Sequence, residues 1–109
     1  MRGLPLLTAT LEVVTRIQSD ASLAGAKSKI RRPDNDDLLN KSAAWTVEAE
    51  DLGGEITIWE DGSSELDLVD FATGDVHSEH RQLDDLGSVQ VAVEAVRDWV
   101  AGRRLPVAE

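Results

Sequence analysis

Few residues in this chain could do chemistry, and their spacing argues against it. His77 and His80 are the only histidines. They stand three apart in a segment that reads as a strand, so they point to opposite faces and cannot share a metal ion. Glu65 and Asp67 are two apart and share a face, which permits a carboxylate pair, but such strand pairs are far more often solvated than catalytic. Asp67 and Asp70 face opposite ways. Ser63-Ser64 falls in a hairpin turn with no GxSxG context. Gly53-Gly54 lies between strands and opens no helix, so it is not a phosphate loop. There are no cysteines. That removes disulfides, thiolate metal sites and cysteine nucleophiles, and it fits a reducing compartment. Asn40-Lys41-Ser42 matches the glycosylation pattern but has no secretion signal before it. The residues give no catalytic site, metal site or cofactor.

What they do give is charge. The chain has 109 residues and a net charge of −10. Between Trp45 and Asp85 there are thirteen acids and one base, Arg81. The flanking segments are close to balance. A field of that sign repels nucleic acid and anionic membranes and steers basic partners inward. It also serves plain solubility.

The elements that must position these acids follow from periodicity. The length allows one domain with one modest core. A helix is expected over 4–19, with Pro5 in its first turn and Leu4, Leu7, Leu11, Val14 and Ile17 along one stripe. Gly25 closes that region. Strands are expected over about 26–32, 42–50, 55–60, 65–71 and 76–83. Turns fall at Leu52-Gly53-Gly54, Asp61-Gly62 and 72–75, and 33–40 reads as a polar loop. A second helix over 88–101 carries Val89, Ala92, Val93, Val96, Trp99 and Val100 on one stripe. Asp84, Asp85 and Ser88 suit its N-terminus, and Gly102 its end. Arg103 and Arg104 lie near its negative C-terminal end. The expected fold is α+β: an antiparallel meander of four or five strands, both helices on one face, the other face open. No segment approaches the length of a membrane span, and a cytoplasmic location is expected.

The open face is where a partner is expected. Alternation sets Trp59, Val69 and Phe71 opposite the inward Ile56, Ile58, Leu66 and Leu68. Glu48, Glu50, Glu65 and Asp67 surround them. Glu60 and Asp61, at the turn beside Trp59, complete the candidate contact set. Aromatic anchors in a charged surround are interface chemistry. A bulge at Gly53-Gly54 or Asp61-Gly62 would shift the register by one and send Trp59 and Phe71 inward instead.

The middle of the chain also resembles the TriTu-type immunity proteins of bacterial polymorphic toxin systems. The residues that carry the resemblance are Ile58-Trp59-Glu60-Asp61-Gly62, then Glu65-Leu66-Asp67-Leu68-Val69-Asp70, then Thr73-Gly74. Glu79-His80, Leu83 and the final amphipathic helix fit the same pattern. It covers roughly 43–100, and the N-terminal third matches only in having a helix. The resemblance implies a small cytosolic protein that binds and neutralises a cognate toxin. The toxin of the named family is an ADP-ribosyltransferase acting on elongation factor Tu. That toxin identity is not carried over, because immunity proteins with a shared scaffold meet diverse toxins, and the resemblance establishes no individual binding residue. Another nucleotide- or nucleic-acid-handling toxin remains open. So do an acidic binding module of another kind (a secretion chaperone, an adaptor or a nucleic-acid mimic) and a small enzyme using Glu65, Asp67 or His80.

Overall fold

Alternation of inward apolar and outward polar residues, clearest over Leu52–Trp59 and Ser63–Asp70, builds a sheet, and helical stripes at both ends cover one face of it. The computed structural model describes residues 3–32 and 41–102, with the side chains of 3–5 and 22 left out. The order is α1 (Gly3–Gln18), a 3-10 turn (Ala21–Leu23), β1 (Lys27–Arg31), β2 (Ser42–Ala49), β3 (Leu52–Trp59), β4 (Ser63–Asp70), β5 (Asp75–Gln82) and α2 (Leu86–Val100). The five strands form one antiparallel sheet in sequence order, as a meander should. The α+β class, the five strands and the two flanking helices are as the sequence predicts.

The core lies between the helices and the inner face of β2–β4. Trp45, Val47, Ile56, Ile58, Leu66 and Leu68 come from the strands. Leu7, Val13, Val14 and Ile17 come from α1, and Val89, Ala92, Val93, Val96 and Val100 from α2. Leu11 is only half-buried, and Thr10 takes a buried place on α1 by donating its hydroxyl to the Leu6 carbonyl. A buried indole N–H needs a partner. That of Trp45, 1% exposed, donates to Ser28 Oγ at 2.7 Å, and Ser28 Oγ donates to Gln18 Oε1 at 2.9 Å. This chain of bonds ties β2 to β1 and α1.

Several boundaries move. The turn between β2 and β3 is at Glu50-Asp51, not at Leu52-Gly53-Gly54. Glu50 takes the left-handed conformation (φ 55°) that makes the tight reversal, which frees both glycines to sit inside β3. They are there because neighbours leave no room for a side chain. β4 begins at Ser63, and Leu83 lies past the end of β5, buried. α2 begins at Leu86 because Asp85 is its N-cap. Asp85 accepts from the Ser88 backbone N–H, and the Ser88 hydroxyl faces the Asp85 backbone N–H, closing a capping box. Trp99 is half-buried, not core. It stands at the margin of the α2 stripe, where its Nε1–H donates to the Val69 carbonyl at 3.1 Å. The expected loop 33–40, the Leu4 and Pro5 side chains, and Arg103 and Arg104 lie outside the described residues.

Candidate partner-binding face

Register fixes what the open face displays. Across β1 to β5, one row reads Lys27, Glu48, Gly53, Val69, Val76. The next reads Lys29, Thr46, Glu55, Asp67, Ser78, and the third Arg31, Ala44, Thr57, Glu65, His80. The intervening rows hold Trp45, Ile56 and Leu66, or Val47, Gly54 and Leu68, all buried. No bulge shifts the parity.

The sequence-derived contact residues divide accordingly. Glu48, Glu65, Asp67 and Val69 share the open face. Trp59 follows Thr57 onto it by alternation and is half-buried, paired with Ser42 at the end of β3. Phe71 lies just beyond β4, yet its ring folds back over Gly53 and remains 55% exposed. Glu50 does not join them, because it occupies the β2–β3 turn. Glu60 and Asp61 belong to the β3–β4 turn, where Asp61 Oδ1 accepts from the backbone N–H and hydroxyl of Ser63. Sequence reasoning missed Glu55, which the register places on the central row. Counting alternation from Ile56 would have found it.

Gly53 makes the centre of the face hollow. A Cβ there would lie 2.9 Å from Phe71 Cε2 and 3.0 Å from Cζ. Its absence leaves a depression of about 150 Å³ walled by Phe71 and Val69 and rimmed by Glu48, Glu55 and Asp67. Thr46 donates to Glu55 Oε2 at 3.3 Å, and Ser78 to Asp67 Oδ1 at 2.6 Å. These bonds orient two carboxylates without neutralising them. Among the described residues, Glu48, Glu55, Glu65 and Asp67 form no ion pair.

β5 is different. It overhangs the helices, so its inner-facing positions are polar: His77, Glu79 and Arg81 in place of aliphatics. Glu79 bonds His77 Nε2 at 2.8 Å and accepts from Arg81 Nε, which holds its carboxyl below the ordinary range. His77 faces inward with Leu68 and His80 outward with Glu65, so the two histidines do point to opposite sides. No group of three or more possible metal ligands occurs among the described residues. No helix there is long and apolar enough to cross a membrane.

The helix layer offers one rival surface. Leu86 and Val91 are exposed, and Thr8, Leu11, Glu12, Thr15, Arg16, Arg32 and Leu86 line a recess on that side. Its charges, Glu12 against Arg16 and Arg32, are mixed, whereas the outer rows of β2–β4 carry acids alone.

Comparison with curated proteins and with solved structures finds no match. The family model described as immunity protein TriTu matches residues 14–99. That span takes in the sheet, α2 and the end of α1, so it reaches further toward the N-terminus than the residues of the acidic hairpins suggest. Membership implies a toxin-neutralising role and a cognate toxin as partner. Matched by that model over most of its length, this helix-backed meander belongs to the TriTu immunity protein family.

Proposed function

We propose that this protein neutralises its toxin by occlusion, seating the open face of β2–β4 on a basic surface of the toxin domain. The observation that carries this reading is the set of carboxylates with no ion pair among the described residues, Glu48, Glu55, Glu65 and Asp67, on the face that also holds the exposed Phe71 ring. Toxins that handle nucleotides or nucleic acid, ADP-ribosyltransferases among them, present basic clefts to anionic substrates. An acidic face covers such a cleft and reaches it quickly by electrostatic steering. Charge alone does not hold it. A nanomolar complex needs about −12 kcal/mol, which calls for buried anchors, and Trp59, Val69 and Phe71 supply them. The protein acts stoichiometrically in the cytoplasm, with no cofactor, metal or reaction of its own.

The test uses the cognate toxin domain. Glu55→Lys/Asp67→Lys should weaken binding by tenfold or more, as about 1.4 kcal/mol of lost attraction gives, and should abolish rescue of growth on co-expression. Undiminished affinity and rescue would move the binding site elsewhere.

A further inference from the structure

The open face is not uniformly acidic. Sequence alone leaves Lys27, Lys29 and Arg31 in a short strand with little to bury. Register sets them on the same face as the acids, at the head of the three outer rows. Neighbouring strands stand about 4.8 Å apart. The β1 bases are therefore one strand from Glu48 and two or three from Glu55, Glu65 and Asp67. Yet Lys27 and Lys29 are exposed and form no ion pair among the described residues. Arg31 donates from its guanidinium to the Ser42 hydroxyl at 2.9 Å and forms no ion pair among the described residues. No ion pair joins the two signs among the described residues, and they are segregated by strand, so the face presents a basic lobe along the β1 edge and an acidic lobe over β3–β4.

We infer that this charge dipole fixes the orientation of the partner: the toxin sets a basic surface over β3–β4 and an acidic one over β1. The inference rests on the reading of this face as the docking surface. A uniformly basic partner would gain over the centre and meet like-charge repulsion along β1. A partner with both signs gains at both lobes and loses if turned half-round, which is how charged surfaces fix register. The competing explanation is that lysines on an edge strand simply blunt edge-to-edge pairing.

The two explanations differ in the sign of a rate. Association of the purified cognate toxin domain is followed by stopped flow at low and high salt. Lys27→Ala/Lys29→Ala should slow association by about threefold or more at low salt. Lys27→Glu/Lys29→Glu should slow it further, and the differences should shrink at high salt. Glu55→Gln/Asp67→Asn should slow it as well. Unchanged melting midpoints confirm that these surface variants fold. If removing the lysines speeds association or leaves it unchanged while removing the acids slows it, the orientation is wrong and the docking face stands. Self-association of the lysine variant, with an unaltered rate for its monomer, also overturns the orientation and leaves edge protection as the role of the lysines. If the acid variant associates at the wild-type rate, the docking face itself is wrong and the inference falls with it.

Discussion

Gly53 and Gly54 are neighbours in β3, and each is pressed by a side chain from the opposite side of the sheet. A Cβ on Gly54 would lie 2.8 Å from Val96 Cγ1, and one on Gly53 would lie 2.9 Å from Phe71 Cε2. The overlaps are nearly equal, but their consequences are not. Val96 is fully buried and backed by α2, so nothing there can yield. Phe71 hangs over an open surface and can swing away. The same contrast runs through the whole sheet. Inward residues are fixed by helices on top of them, and outward residues are held only from below. The inner face sets stability, and no described helix covers the outer face.

Trp45 gives that contrast its largest expected effect. It fills the inner face at 1% exposure and anchors a bonded chain through Ser28 to Gln18. Trp45→Ala should lose ~3–5 kcal/mol in denaturant titrations. Trp59→Ala, on the outer face, should unfold near the wild-type midpoint while losing at least ~2 kcal/mol of toxin affinity. Trp99→Ala should fall between them in stability, because its indole is half-buried and holds the Val69 carbonyl. If Trp59 proves the most destabilising of the three, the assignment of the faces is inverted.

The paired glycines test the comparison at finer scale. Gly54→Ala should cost ~1–3 kcal/mol of stability by overpacking against Val96. Gly53→Ala should change stability less, displace the Phe71 ring and fill the depression beneath it. Its signature is faster dissociation from the toxin with an unchanged association rate, since no charge is altered. Equal losses of stability in the two variants would contradict a free outer face.

Much of this is legible in the sequence. Alternation in β3 and β4 yields the right parity, because each strand places aliphatics inward at every second residue and no bulge intervenes. Trp45 and Trp59 sort to the correct sides. The boundaries are less legible where local signals point the wrong way. Gly53-Gly54 reads as a turn, and only the neighbours Val96 and Phe71, distant in sequence, explain glycine inside a strand. Glu50, an ordinary residue, adopts the left-handed turn that sequence assigns to glycine. That displacement removes Glu50 from the candidate face, while Glu55 stands on it by the alternation that already sets Ile56 inward. The basic lobe is illegible for another reason: β1 is five residues long and exposed, so only pairing with β2 tells which way its lysines face.

The smallest expected effect concerns the start of α2. Hydrogen bonds from the Ser88 backbone and hydroxyl hold the Asp85 carboxyl below its ordinary range. The cap is therefore fully present above the usual aspartate range and is lost as pH falls through the lower, folded value. Asp85→Ala should unfold at a lower midpoint than wild type at neutral pH, and the two midpoints should converge in acid. A gap that persists at about pH 2, below the usual aspartate range, would assign the loss to helix propensity instead of the cap.

Docking of the toxin on the bare sheet face is tested most directly by following methyl resonances in a titration with the toxin domain. Val69 and Val76 report the sheet face, and Leu86 and Val91 report the helix layer. With the toxin on the sheet, the Val69 and Val76 methyls shift at one equivalent while those of Leu86 and Val91 stay in place. Shifts at Leu86 and Val91 with Val69 and Val76 unmoved would put the partner on the helices and contradict docking on the sheet.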